Sequence, residues 1–95
     1  MPSTTRISVV IPARNEASSL RVVLPRLADL LSDAEIIVVD DGSTDDTTAV
    51  CGLSNVKYLR HHYPMGNGAA IKTGARAALG DAIRQRWDPQ RVFAA

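Results

Sequence analysis

Two apolar runs and one shorter, mixed run alternate along the chain with segments in which apolar residues recur every three or four positions. Ile7 to Ile11 is a β-branched run with one serine, closed by Pro12. Glu35 to Val39 is the second run and Val56 to Leu59 the third. Continuous apolar runs of this length suit strands buried on both faces of a parallel sheet. Between the first two, Leu20, Val23, Leu24, Leu27, Leu30 and Leu31 keep helical spacing, with Asn15 and Ser18 as capping side chains and Pro25 as a kink or early break. Ser43 followed by Asp46 resembles a capping box for a short helix through about Val50, stopped by Gly52. His61 to Gly68 reads as loop, punctuated by Pro64, Gly66 and Gly68. Ala69 to Leu79 reads as an alanine-rich helix ended by Gly80. The order βαβαβα predicts an α/β protein: a three-layer, Rossmann-like half-domain with a parallel sheet and right-handed crossovers. Residues 1–81 carry this pattern. Residues 82–95, with Arg84, Arg86, Asp88, Pro89 and Arg91 among few apolar positions, read as an atypical tail, a weak helix or irregular segment with no fourth strand.

At 95 residues and 45% hydrophobic content, composition allows one small domain. The single Cys51 excludes an internal disulfide and a cysteine-based zinc site, fits a reducing cytoplasm, and on helical spacing reads as a small core residue. No apolar run reaches membrane-span length, and Met1 to Arg6 lacks a signal-peptide pattern, so a cytoplasmic protein is expected, peripheral to a membrane face at most. The net charge of +1 conceals an asymmetry: four basic and eight acidic side chains in residues 1–56, seven and two in 57–95. The second half is the better host for anions, although a solvated basic helix face explains the same count. Aromatic content of 4% argues against base-stacking nucleic-acid recognition.

Loops at the carboxyl ends of parallel strands share one edge, so Pro12 to Glu16, Asp40 to Asp45 and His61 to Lys72 are expected to converge on one crevice. Asp40 and Asp41 have the chemistry to accept hydrogen bonds from a base or ribose, or to help hold a divalent cation. Equally, Asp41 in particular serves to order its turn or cap the next helix. Ser43 and Asp45 read as capping residues. Glu16 is favoured by a helix dipole with or without a ligand. Met65 to Thr73 resembles a phosphate cradle, with glycines admitting backbone amides to an anion and Lys72 adding charge. It is neither a Walker motif nor a dinucleotide fingerprint, since Ile71 stands where either needs glycine. His61 and His62, adjacent and therefore divergent, read as surface loop, and Trp87 as a packing anchor.

Three segments in this order, Val10-Ile11-Pro12-Ala13-Arg14-Asn15-Glu16, Val38-Val39-Asp40-Asp41-Gly42-Ser43-Thr44-Asp45 and Gly66-Asn67-Gly68-Ala69-Ala70-Ile71-Lys72-Thr73-Gly74, closely resemble the opening of family 2 glycosyltransferases. The likeness covers about residues 6–81 and is strongest to the branch similar to dolichol-phosphate mannose synthase. It implies a truncated GT-A fold, a nucleotide-diphosphate sugar as ligand, magnesium or manganese as cofactor, and a polyprenyl phosphate as acceptor in a full-length form. It assigns Pro12, Ala13, Asn15, Glu16, Asp40 and Asp41 to the nucleotide pocket, Gly68 and Lys72 to the phosphates, and Asp81 to the start of the next strand.

Family members continue from a pair like Gly80-Asp81 into a strand ending in an Asp-x-Asp metal motif, then into the acceptor half with its catalytic base. Here Ile83 stands where a second metal carboxylate is needed, so the resemblance leaves this chain without its main metal ligands and without a catalytic residue. With no fourth strand, Ile7 to Ile11 becomes an apolar edge, either self-associating or covered by the Val92-Phe93 tail. Three readings follow: a glycosyltransferase part inactive alone, a non-catalytic nucleotide or nucleotide-sugar binding module, and a structural remnant without a ligand.

Overall fold

The computed structural model describes the backbone of residues 4–85 and 87–94, and the side chains of residues 7–84 within them. In chain order the elements are β1 (Thr4–Ala13), α1 (Ala17–Leu30), β2 (Glu35–Asp40), α2 (Thr47–Gly52), β3 (Lys57–Arg60), α3 (Asn67–Gln85) and β4 (Trp87–Ala94). The strands form one sheet in the order β3-β2-β1-β4, and every pairing is parallel.

Side-chain alternation splits each central strand between two cores. Val9, Ile11, Ile36 and Val38 face Leu20, Leu24, Val50 and Cys51 of α1 and α2. Val10, Ile37 and Val39 face Ala70 and Ala78 of α3. Helices therefore cover both faces, as the unbroken apolar runs require. Burial raises the Cys51 thiol above its ordinary range, reinforced by the Asp40 carboxylate, as befits a core residue.

α1 runs through Pro25 without a break, although proline withholds the N–H that the Arg21 carbonyl would accept. Its buried stripe is narrower than the periodicity suggests, since Val23 and Leu30 are exposed. α3 meets β1 closely because Ala70, Gly74, Ala78 and Ala82 present small side chains every fourth residue. A Cβ on Gly74 would have no room beside Val10.

At the carboxyl end the structure differs from what the sequence predicts. α3 does not stop at Gly80 but continues to Gln85. Glycine costs a helix only about 1 kcal/mol, and buried Ala82 together with the Asp81 contacts described below holds the extra turn in place. Residues 87–94 are not an irregular tail: they form β4, with Val92 opposite Ser8 and Phe93 opposite Val9. β1 is thus an interior strand: of the two outcomes expected for its edge, cover by the Val92-Phe93 segment is the one seen, and that edge is not open for self-association. Ile83 lies in α3, largely exposed, and so does not occupy the position of a strand-end carboxylate. The reading of Trp87 as a packing anchor lies outside the described side chains.

Candidate functional site

Register brings the carboxyl ends of the first three strands together, with Ala13 opposite Asp40 and Asp40 opposite Arg60. The ladder runs one step further on each side, through Asp41 N–H to the Ala13 carbonyl at 2.8 Å and His61 N–H to the Asp40 carbonyl at 2.9 Å. All three loops therefore leave one edge, as the topology predicts.

Two side chains clamp the β1–α1 loop to the β2–α2 loop. Asn15 adopts a left-handed conformation (φ 55) that aims its Oδ1 at the Thr44 N–H (2.8 Å) and the Asp45 N–H (3.3 Å), while its own N–H donates to Ser43 Oγ (2.9 Å). Asp45 accepts from the amides of Ala17 and Thr47, capping the first turns of both helices from outside. Asp45 thus caps as expected. The Ser43–Asp46 capping box does not form, and neither Glu16 nor Asp46 makes a side-chain cap bond.

The two neighbouring aspartates divide their work. Asp40 is fully buried: it accepts the Ser43 N–H at 2.8 Å, the Tyr58 hydroxyl and the Arg60 guanidinium at 2.8 Å, while Arg60 also donates to the Ser43 carbonyl at 2.7 Å. Burial pushes its carboxyl up, but the hydrogen bonds from Ser43 and Tyr58 and the charge of Arg60 outweigh this and hold it below the ordinary carboxylate range. Asp41 lies at the surface of the crevice. Its Oδ1 accepts from His61 Nδ1 and the Met65 N–H, both at 2.8 Å, and its Oδ2 from the Gly66 N–H at 2.9 Å. These bonds, His61 foremost, also lower its pKa. Gly66 presents that amide at φ 101, a backbone region that side chains disfavour.

A cavity of about 310 Å³ opens beside Asp41, lined by Pro12, Ala13, Arg14, Glu16, Asp41, Gly66, Asn67 and Ala70. Of the residues expected at a nucleotide pocket, Pro12, Ala13, Glu16 and Asp41 meet there. Asn15 supports the wall from behind, and Asp40 lies beneath it. Gly68 and Lys72 are exposed at the start of α3 but do not line it. Asp81 is at the opposite end of the sheet, inside α3 rather than opening a strand. There its carboxylate accepts from Lys57 Nζ at 2.8 Å to each oxygen and from Arg84. The sequence reading missed Arg14, Asn67 and Ala70 as wall residues, although all three stand within the segments it singled out. His61, expected on the surface, is buried.

Residues 8–84 match the family model for glycosyl transferase family 2. The chain belongs to this family. Within it, the chain is 38% identical over 86% of its length to the pre-mycofactocin glycosyltransferase of Mycobacterium tuberculosis, covering 17% of that protein. It is also 38% identical, over 81% of its length, to the undecaprenyl-phosphate 4-deoxy-4-formamido-L-arabinose transferase of Aeromonas hydrophila, covering 27% of it. The fold matches a mannosyltransferase from Pyrobaculum calidifontis in complex with GDP-Man and Mn2+ (TM-score 0.70, 22% identity, 81% of this chain and 26% of that one). It also matches the glucosyl-3-phosphoglycerate synthase of Mycobacterium tuberculosis in complex with Mn2+, UDP and glucosyl-3-phosphoglycerate (TM-score 0.63, 30% identity, 80% and 29%). The architecture is therefore a Rossmann-like part of the GT-A glycosyltransferase fold. The chain spans less than a third of the length of each of these relatives.

A divalent cation accompanies the nucleotide in both of those solved structures. The residues described here do not fit one by themselves. Asp40 is consumed by Ser43, Tyr58 and Arg60, and Asp41 is largely consumed by His61 and two amides. Among the described residues no three His, Cys, Asp or Glu side chains converge. No helix among them is long and apolar enough to cross a membrane.

Proposed function

We propose that the crevice holds the nucleoside diphosphate portion of a nucleotide-diphosphate sugar, and that the chain is the donor-binding part of a family 2 glycosyltransferase. One observation carries this reading. An ionised carboxylate offers about four lone-pair positions, and three protein donors fill all but one of those on Asp41, leaving one acceptor position on Oδ2 of a residue that lines a cleft of about 310 Å³. A preset acceptor of this kind suits the N–H edge of a base or a ribose hydroxyl, which loses little on leaving water when its partner is already in position. Arg14 is the wall cation suited to the diphosphate. The amide of Gly68 in the first turn of α3 adds the positive end of a long helix, with Lys72 outside the wall as a more distant charge. Pro12, Ala13 and Ala70 provide the apolar floor.

Under this reading the metal's main ligands, the catalytic base and the acceptor site are outside this set of residues. The 95-residue chain alone then binds donor without transferring sugar, and a polyprenyl phosphate is the acceptor of a fuller form. A non-catalytic nucleotide-sugar binding module is the second reading, favoured by the absence among the described residues of three metal-ligating side chains that converge, since Glu16 is the only crevice carboxylate among them without a protein partner. Calorimetric titration with GDP-mannose and UDP-glucose, with and without manganese, tests the binding that both readings share. A saturable heat abolished by Asp41→Ala supports it, and no heat with any donor removes it. A parallel assay for sugar transfer separates the two readings.

A further inference from the structure

His61 is nine-tenths buried, it ends β3's contribution to the crevice, and both ring nitrogens are engaged. Nδ1 lies 2.8 Å from Asp41 Oδ1, and Nε2 lies 2.8 Å from Thr73 Oγ1, one and a half turns into α3. A carboxylate only accepts, so Nδ1 carries a proton, and Thr73 meets whichever role Nε2 then takes. The chain Thr73–His61–Asp41 continues into the amides of Met65 and Gly66, so it crosses from α3 through the β3 end to the loop that precedes α3.

From this arrangement we infer that His61 is a positioning residue. It locks the Asp41 carboxylate plane so that the one unfilled lone pair of Oδ2 faces the cleft, and Thr73 fixes the ring that does so. The functional meaning rests on the donor-binding reading above, but the positioning itself exists without any ligand. Without the imidazole, Oδ1 keeps one partner instead of two, and the carboxylate plane is held only by the two backbone amides, Met65 on Oδ1 and Gly66 on Oδ2. The carboxylate can then twist within that looser cradle, its acceptor is held toward the cleft less firmly, and part of the preorganisation is lost. Neither Asp41 nor the glycine loop has another buried side-chain donor among the described residues to replace it.

Two near-isosteric variants separate positioning from mere filling of space. In His61→Asn the amide nitrogen stands where Nδ1 stood and keeps the bond to Asp41 while losing Thr73. In His61→Gln the amide reaches the Nε2 position, keeping Thr73 and losing Asp41. His61→Asn is one methylene shorter and leaves the larger void, so it should lose at least as much thermal stability as His61→Gln, and a greater loss of affinity in His61→Gln cannot come from packing. The experiment compares them as full chains, first without ligand and then with UDP and GDP. Carbon-detected NMR titration of the Asp41 carboxyl should show a low, nearly wild-type midpoint in His61→Asn and a midpoint moved up in His61→Gln. Nucleotide affinity should fall no more than about threefold in the first and at least about tenfold in the second. Equal carboxyl midpoints, or equal losses of affinity, overturn the inference and reduce His61 to a packing residue. If the wild-type chain binds neither nucleotide, the proposed function falls, and the carboxyl titration alone still decides the positioning.

Discussion

Asp40 and Asp41 are adjacent in sequence, yet one is spent entirely on the protein and the other keeps one acceptor for the cleft. The difference comes from strand alternation: Asp40 ends β2 pointing toward Tyr58 and Arg60 of β3, and Asp41 points toward the β3–α3 loop. Both carboxyls have folded-state pKa values below their ordinary ones. The stability they contribute is therefore complete above the unfolded carboxylate value of about 3.9 and is lost as pH falls through the lowered folded values. Urea midpoints measured by circular dichroism should be flat from neutrality to about pH 5 and fall below about pH 4. Asp41→Asn should show a shallower fall from a lower plateau, because the variant has no Asp41 proton to take up. The importance of Asp40-Asp41 was legible in the sequence, but the division of labour was not, because it depends on Tyr58, Arg60 and His61, which come from elsewhere in the chain. Burial of His61 was likewise hidden, since adjacent histidines in a polar loop carry no periodic signal.

α3 reaches the crevice with its first turn and the far end of the sheet with its last. Its seat on β1 rests on Gly74, where Val10 occupies the space that a methyl group would need. Gly74→Ala raises intrinsic helix propensity by about 1 kcal/mol, yet overpacking at such a contact costs about 1–3 kcal/mol. The net expectation is a loss of stability in chemical denaturation, in spite of the better helix former. Because Asn67 and Ala70 belong to the same rigid element, nucleotide affinity should fall as well. α1 was legible from apolar periodicity and the first three strands from continuous runs, whereas α2 and α3 were legible only from turn residues and alanine content. The ends of α3 were not, because Gly80 is a stop signal only when nothing else holds the next turn. The clamp by Asn15 was also invisible: its residue type announces a cap, and the structure uses it to join two loops.

At the scale of the whole molecule, the candidate crevice and the anchorage of α3 lie at opposite ends of one parallel sheet. The carboxyl edge gathers Arg14, Glu16, Asp41 and the Gly66 loop, while the amino edge carries the Lys57–Asp81–Arg84 cluster that pins α3 to β3. Removing the buried Asp81 charge as Asp81→Asn should cost about 1–3 kcal/mol of stability while leaving nucleotide affinity within about twofold. An equal loss of affinity would return Asp81 to the site. Four of the residues that the family resemblance assigns to a nucleotide pocket, Pro12, Ala13, Glu16 and Asp41, line one cavity, but Asp81 lies inside α3, because no strand begins directly after Gly80. The low apolar content of residues 86–91 hid β4, because pairing with the backbone of β1 needs no apolar pattern in the run itself. The most direct test of the account is a backbone amide NMR map of the 95-residue chain titrated with UDP and GDP. Saturable shifts should cluster at Arg14, Glu16, Asp41, Gly66, Asn67 and Ala70 and be absent at Lys57 and Asp81. Shifts centred on the amino edge, or none at saturating nucleotide, would contradict it.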